Sequence, residues 1–231
     1  MPEPFALILM AKAPIPGRVK TRLVPPLDPE EAARLYLCLL EDAAEEMARV
    51  PGGTPFLYVH PPGEEARFRR APFARYDPRP QVGRDLGSRM TRAVRDVFRE
   101  GFREAVLVGA DCPALGVLRV LEAVRELRGG SEAVLGPARD GGFYLAALRF
   151  VPEGIFRGIP WGTGEVLARV CGRLRREGRR FSTLPVLPDV DTPEDLGELA
   201  RWARRLRRPA CPRTRRWISS RGSRASPRPA G

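Results

Sequence analysis

The sequence predicts an α/β domain built on one open, mostly parallel sheet with helices on both faces. Three observations carry that reading. Short, continuous apolar runs such as residues 5–10 and 105–109 have the length and pattern of strands buried on both sides. They alternate with longer segments whose apolar residues recur at helical spacing, in the order βαβαβα, then a strand-rich insert, then αβα. The chain is 231 residues long with 43% apolar content, enough for one sizeable core. A single domain over residues 1–206 follows, and the remainder reads separately.

Taken in order, residues 5–10 form strand one. A long amphipathic helix spans 29–49, with Asp28 as N-cap, Pro29 at the first helical position, and Glu30 and Glu31 complementing the dipole. Strand two covers 55–60. A short helix at 64–70 and a short strand at 73–76 follow. Asp85 caps a helix over 86–100. Residues 105–109 are a strand, 117–127 a helix, and 133–135 and 142–148 two further strands. A helix over 163–177, a strand over 182–186 and a last helix over 193–206, capped by Thr192, complete the order. There is no internal repeat.

The net charge of +12 is localised. Ten arginines and no acid lie from residue 204 onward, which leaves +2 for residues 1–203. With Pro, Ser and Gly interleaved and no hydrophobic period, residues 207–231 read as a disordered tail. Such a tail binds nucleic acid weakly by charge at most, since no aromatic ladder or base-reading motif accompanies it. The four cysteines show no C-x-x-C pair, which argues against a zinc site and a disulfide framework. The start lacks a basic and apolar leader, and no apolar stretch reaches a membrane-spanning length, so a soluble cytoplasmic protein is expected.

Only two of the forty basic residues are lysine, and both fall in the stretch from Lys12 to Lys20. Lysine supplies a compact point charge suited to a phosphate oxygen. A strand running into a Gly/Pro loop with Lys12, Gly17, Arg18, Lys20 and Arg22 has the layout of a phosphate site. Three more loops follow strand ends and should meet on the same edge. Asp111, directly after a buried strand and before Cys112-Pro113, is placed to bind Mg²⁺ or Mn²⁺. Residues 136–145 hold Asp140-Gly141-Gly142, either a ligand-approaching turn or a tight hairpin. Asp189 and Asp191 share one face of an extended segment, and Asp191 converging with Asp111 would make a two-carboxylate metal clamp. Gln81 is a weaker candidate for contacting a nucleotide or sugar, and Trp161 for stacking on one. The sole histidine, His60, reads as a loop residue without chemistry, so a Ser-His or Cys-His nucleophile lacks support. No P-loop and no G-x-G-x-x-G run is present.

The segments Lys12-Ala13-Pro14, Gly17, Val19-Lys20-Thr21-Arg22-Leu23, Gly109-Ala110-Asp111-Cys112-Pro113, Gly136-Pro137-Ala138-Arg139-Asp140-Gly141-Gly142-Phe143-Tyr144-Leu145 and Asp189-Val190-Asp191-Thr192-Pro193-Glu194-Asp195-Leu196 together resemble a bacterial family of GT-A-fold glycosyltransferases, some labelled arsenosugar-biosynthesis glycosyltransferases. The resemblance runs from about residue 5 to 203 and extends to the nucleotide-diphospho-sugar transferase superfamily. The first and last segments are also similar to phospholactate and molybdenum-cofactor guanylyltransferases. It implies a Rossmann-like GT-A fold, Mg²⁺ or Mn²⁺ on Asp111 and Asp191, and phosphates on Lys12, Gly17, Arg18 and Lys20. It also implies a nucleotide-sugar or nucleoside triphosphate partner with a small-molecule acceptor. Glycosyl transfer is the first reading, with Lys20 neutralising the diphosphate and Asp140 as base or acceptor-orienting group. Nucleotidyl transfer by the same residues is the alternative, and a nucleic-acid-binding protein acting through the tail is the alternative of another class. The triphosphate loop is Pro-rich here, with Gly17 alone, unlike the Gly-rich loop of sugar-phosphate nucleotidylyltransferases.

Overall fold

In the computed structural model, which describes residues 3–205 and 211–222, seven strands form one sheet in the order β3-β2-β1-β4-β6-β5-β7. The strands are β1 (Phe5–Lys12), β2 (Gly53–His60), β3 (Asp77–Pro80), β4 (Ala105–Val108), β5 (Ala133–Pro137), β6 (Phe143–Leu148) and β7 (Phe181–Thr183). The helices are α1 (Pro29–Met47), α2 (Leu86–Arg99), α3 (Val117–Arg128), the single turn α4 (Glu153–Phe156), α5 (Val166–Arg176), α6 (Pro193–Arg205) and α7 (Pro212–Gly222). Every strand pairing is parallel except those of β6, which runs antiparallel between β4 and β5.

Alternation along the central strand builds the two faces. Leu7, Leu9 and Ala11 of β1 pack with Val106, Val108, Tyr36, Leu40, Val120 and Val124 on the side of α1 and α3. Ala6 and Ile8 face the other way, onto Leu107, Val94, Ala146 and Val170 beneath α2 and α5. Two of the three caps named from the sequence, Asp28 and Asp85, form reciprocal boxes. Asp28 accepts from Glu31 N at 2.6 Å, and Asp85 accepts from Ser88 N at 2.7 Å. Because the strand order reverses between β1 and its neighbours β2 and β4, the loops after β1 and β4 diverge and leave a crevice beyond the strand ends.

Apart from the unexpected turn α4 and shifts at element ends, such as β7 at Phe181–Thr183 where 182–186 is expected, the sequence reading and the structure differ in four places. Residues 73–76 are a 3₁₀ turn (Phe73–Arg75), and the strand lies just beyond, at β3. That strand carries Pro78 and Pro80, which β3 tolerates because it is a sheet edge with one side unpaired. The short helix expected at 64–70 is a 3₁₀ turn over Glu65–Phe68. The expected helix over 163–177 begins at α5, with a loop through Gly162 and Gly164 before it.

The fourth difference is the tail. The expected disorder does not hold over Pro212–Gly222, which is helix α7 lying against α1. Trp217 and Ile218 pack on a cluster of Leu23, Leu27, Leu35, Leu39, Val190 and Leu199. The buried carboxylate of Asp42 accepts from the backbone N–H groups of Arg213 (3.1 Å) and Thr214 (2.9 Å), and so caps the N-terminal end of α7 from across the chain. A short, arginine-rich helix shows little periodicity of its own, and its partners lie on α1. The rest of the expected tail is outside the described residues. No described helix is long and apolar enough to cross a membrane.

Candidate active site

A cleft of about 620 Å³ opens at the carboxyl ends of β1, β4 and β5. Backbone bonds tie its acidic loops together. Val190 N donates to Asp111 O at 3.0 Å, and Arg139 N donates to Leu187 O at 3.1 Å. Asp195 fixes the last loop, since its Oδ2 accepts from the backbone N–H groups of Asp191 (3.0 Å) and Thr192 (2.8 Å). Thr192 and Asp195 thus make a capping pair at the start of α6, and they set where Asp191 points.

Lys20 lies at the centre. Its backbone is left-handed (φ 49°, ψ 38°), a conformation that costs a non-glycine residue about 1–2 kcal/mol. The side chain is only 3% exposed, and its Nζ bonds to Asp111 Oδ1 and, at 2.9 Å, to Asp191 Oδ1. Burial alone would lower the Lys20 pKa, but the two carboxylates outweigh it and hold the ammonium well above its ordinary value. Burial likewise pushes Asp191 up, while Lys20, Arg22 and Lys12 bring it below the usual carboxylate range. The two aspartates singled out as a metal clamp therefore do converge, and the cation between them is an ammonium.

Behind them sits Asp189, 7% exposed. Carboxylate oxygens of Asp140, Asp189 and Asp191 lie within 4.8 Å of one another. Burial, then Asp140, Asp191 and Asp195, push Asp189 up to about 6. The Asp140 carboxylate accepts from Gly142 N at 2.8 Å within its turn. Gly141 there has φ +86°, and a Cβ on it would lie 2.2 Å from Gly164 O, so the turn both needs and crowds out everything but glycine.

Of the other residues expected on phosphates, Lys12 lines the cleft, and Arg18 and Gly17 stand outside it, exposed. Arg22 reaches over from outside, its Nη2 donating to Gly162 O at 3.3 Å. Gln81 lines the cleft, but its Nε2 donates to Ala11 O (2.9 Å) and Tyr58 O (2.8 Å). Only its Oε1 is left for a ligand. Trp161 lines the cleft and packs edge-on against Phe143 and Phe156. Together they form a wall of the cleft, whose close fit shows at Gly87, where a Cβ would fall 2.3 Å from Phe156 O and 2.8 Å from the Trp161 ring.

Two groups escaped the sequence reading as site members. Tyr36 on α1 is buried and accepts from Lys12 N at 2.8 Å, which fixes the loop start; desolvation raises its phenol above the usual range. Its place on one face of a long amphipathic helix read as core. Arg89 on α2 lines the cleft with Met90, and its arginine-rich helix gave no reason to single it out.

A parallel sheet with one inserted antiparallel strand, a cationic loop after β1 and carboxylates after β4 and before α6 define a domain of the nucleotide-diphospho-sugar transferase superfamily. Residues 43–163 match the family described as uncharacterized protein conserved in bacteria (DUF2064), and the chain belongs to that family. It is similar to a protein from Desulfovibrio desulfuricans provisionally named a nucleotide-diphospho-sugar transferase, at 31% identity over 94% of this chain and 95% of that one, with a TM-score of 0.86. The same fold, at low identity, occurs in a cytidylyltransferase from Leptospira borgpetersenii serovar Hardjo-bovis (10% identity, 99% of each chain, TM-score 0.53). It occurs too in a CMP:2-keto-3-deoxy-manno-octonic acid synthetase complexed with CTP (15% identity, 87% of this chain and 100% of that one, TM-score 0.52). No curated protein sequence matches the chain.

Proposed function

We propose that this protein is a transferase that moves a glycosyl group from a nucleotide-diphospho-sugar to a small-molecule acceptor, with a divalent metal ion. The observation that carries this reading is the buried Lys20 ammonium held by Asp111 and Asp191 at the centre of the cleft. A lysine on a strained loop, oriented before substrate arrives, is preorganised to neutralise charge on a departing diphosphate. Lys12 adds a second cation from the end of β1, and the Gln81 Oε1 offers an acceptor on the same side of the cleft. Phe143, Trp161 and Met90 supply apolar walls for a ring.

A divalent ion fits the donor set. The buried Asp189 carboxylate has no salt-bridge partner among the described residues, and hard oxygen ligands suit Mg²⁺ or Mn²⁺. Such an ion supplies charge stabilisation to the leaving diphosphate.

Nucleotidyl transfer is the rival, and the feature that favours it is a loop with four cations, Lys12, Arg18, Lys20 and Arg22, more charge than a diphosphate needs. Of that loop's four cations, Lys12 and Lys20 line the cleft while Arg18 and Arg22 stand outside. Arg89 of α2 adds one cation to the lining, and the loop's own charge inside the cleft, two lysines, suits a diphosphate with its metal. The similarity over nearly the whole chain to the Desulfovibrio protein supports the same choice. The test is a panel of nucleotide-sugars with Mg²⁺ or Mn²⁺ and no acceptor. Glycosyl transfer to water releases nucleoside diphosphate and free sugar. Pyrophosphate from a triphosphate plus a sugar phosphate, with no diphosphate from any donor, would overturn the proposal.

A further inference from the structure

We infer that the α7 segment positions the active site from behind: Trp217, Ile218 and Cys211 seat the three loops that carry Lys20, Asp111 and Asp191. The inference rests on the Lys20-centred site proposed above and adds what fixes its geometry. Each member of that bridge has an anchor on the α7 side. Leu23 follows Lys20 by one 3₁₀ turn, in which Leu23 N donates to Lys20 O at 2.9 Å, and it is fully buried. Val190, between Asp189 and Asp191, is buried, and its N–H donates to Asp111 O at 3.0 Å. Leu23 and Val190 belong to one apolar cluster, and Trp217 and Ile218 of α7 pack against it. The third anchor is Pro113, two residues after Asp111, whose carbonyl accepts from Cys211 Sγ at 3.1 Å.

Backbone strain marks both ends of this connection. Among the described residues, Lys20 and Cys211 are the two that combine a side chain with a positive φ, 49° and 53°. Such conformations persist where the surroundings over-determine them. At Lys20 the two carboxylates act from the cleft and the Leu23 anchor acts from below. At Cys211 the Pro113 carbonyl holds the thiol, and Asp42 caps the helix that follows. The helix is pinned at its far end as well, where Arg221 pairs with Glu31 at the start of α1. An ammonium stabilises a departing diphosphate only where its Nζ meets the developing charge, and a displacement of about 1 Å costs up to about 100-fold in rate. Loosening the cluster frees Leu23 and Val190 to shift, and Lys20 and Asp191 shift with them. Trp217 and Ile218 are therefore positioning residues as well as parts of a stabilising seam.

The test uses the full-length protein and reads two quantities on each variant. These are amide hydrogen exchange, and hydrolysis of whichever nucleotide-sugar of the panel above wild type turns over fastest. Trp217→Ala should speed exchange at the Leu23 and Val190 amides by about tenfold more than in β1 and β4. Its kcat, measured well below the melting temperature, should fall by about tenfold or more, with KM changed by less than about threefold. Trp217→Phe, which keeps a ring in the cluster, should restore most of the loss. In a Lys20→Ala background, Trp217→Ala should lower kcat by less than about threefold, because the bridge it positions is already broken. Val97→Ala, a core change at the far end of α2 from the cleft, should lower the melting temperature and leave kcat unchanged. If Trp217→Ala does not fold, the partly buried Ile218→Ala carries the same comparison. Exchange at Leu23 and Val190 that rises no more than in β1 would overturn the inference. So would an equal fall in kcat with and without Lys20. Selective exchange at both amides in a protein that turns over no nucleotide-sugar would sink the proposed reaction and keep the positioning.

Discussion

Two basic side chains in this protein each reach far along the chain to a group of carboxylates. Lys20 joins Asp111 and Asp191, 91 and 171 positions away. Arg213 joins Glu41, Asp42 and Glu45 on α1, about as distant in sequence. The surroundings separate their roles. Lys20 is buried on a left-handed backbone, and its two partners are a third to a half exposed to the cleft. Arg213 is itself a third exposed, spread over three acids, and accompanied by the apolar contacts of Trp217 and Ile218. A compact ammonium facing an open cleft can exchange a carboxylate for a phosphate oxygen. A guanidinium fork laid across a helix seam holds two elements together. One pair is poised for a ligand, and the other fastens α7.

The largest effect expected from breaking this contrast is on catalysis. Lys20→Ala should lower kcat/KM for the donor by about 100-fold, on the order of 3 kcal/mol, with little change in melting temperature because both partner carboxylates remain hydrated. Lys20→Arg should not rescue it, since the slot admits one ammonium and the planar fork is wider. Steady-state donor hydrolysis and calorimetry on the same preparations check both halves.

At the seam the expected effect is on stability. Removing residues 211–231 uncovers Leu23, Leu27, Leu35 and Leu39 and should cost about 3 kcal/mol, or roughly 6–12 °C in melting temperature. An unchanged melting temperature would mean that α7 does not dock in solution. Single changes at the seam should rank below that. Asp42→Ala removes a buried cap and should cost about 1–2 kcal/mol, and Arg213→Ala, a partly exposed pair, about 1 kcal/mol or less.

Acid should loosen the seam further. Hydrogen bonding from Arg213 lowers the Glu45 pKa, and hydrogen bonding from Arg221 lowers that of Glu31. A depressed folded pKa gives stability that is present above the ordinary carboxylate range and lost as pH falls through the folded value. Glu41, which burial pushes up, works against this. The gap in melting temperature between full-length and truncated protein should therefore narrow below about pH 4. The smallest effect should come from Arg22→Ala. Its one described hydrogen bond is exposed and 3.3 Å long, so activity should fall less than about threefold.

The sheet and most helices were legible because apolar runs and caps act locally: Asp28 and Asp85 announce their helices within four residues. The carboxylates were legible because each follows or precedes an element end, where loops gather on one edge. What the sequence hid depends on the third dimension. The Lys20 bridge joins segments separated by most of the chain, and Asp189 differs from Asp191 only in which of the two is buried. Helix α7 is arginine-rich because its partners are the acids of α1, and read alone it resembles a solvated tail. β3 contains two prolines and is a strand only because it is an edge.

The central claim is that the bond broken is the one between the sugar carbon and the diphosphate. The most direct measurement is donor hydrolysis in water enriched in heavy oxygen, with mass analysis of both products. Attack at the sugar carbon places the label on the free sugar and leaves the nucleoside diphosphate unlabelled, which is the result expected here. Label in a phosphate product with none in the sugar would show attack at phosphorus and contradict the account.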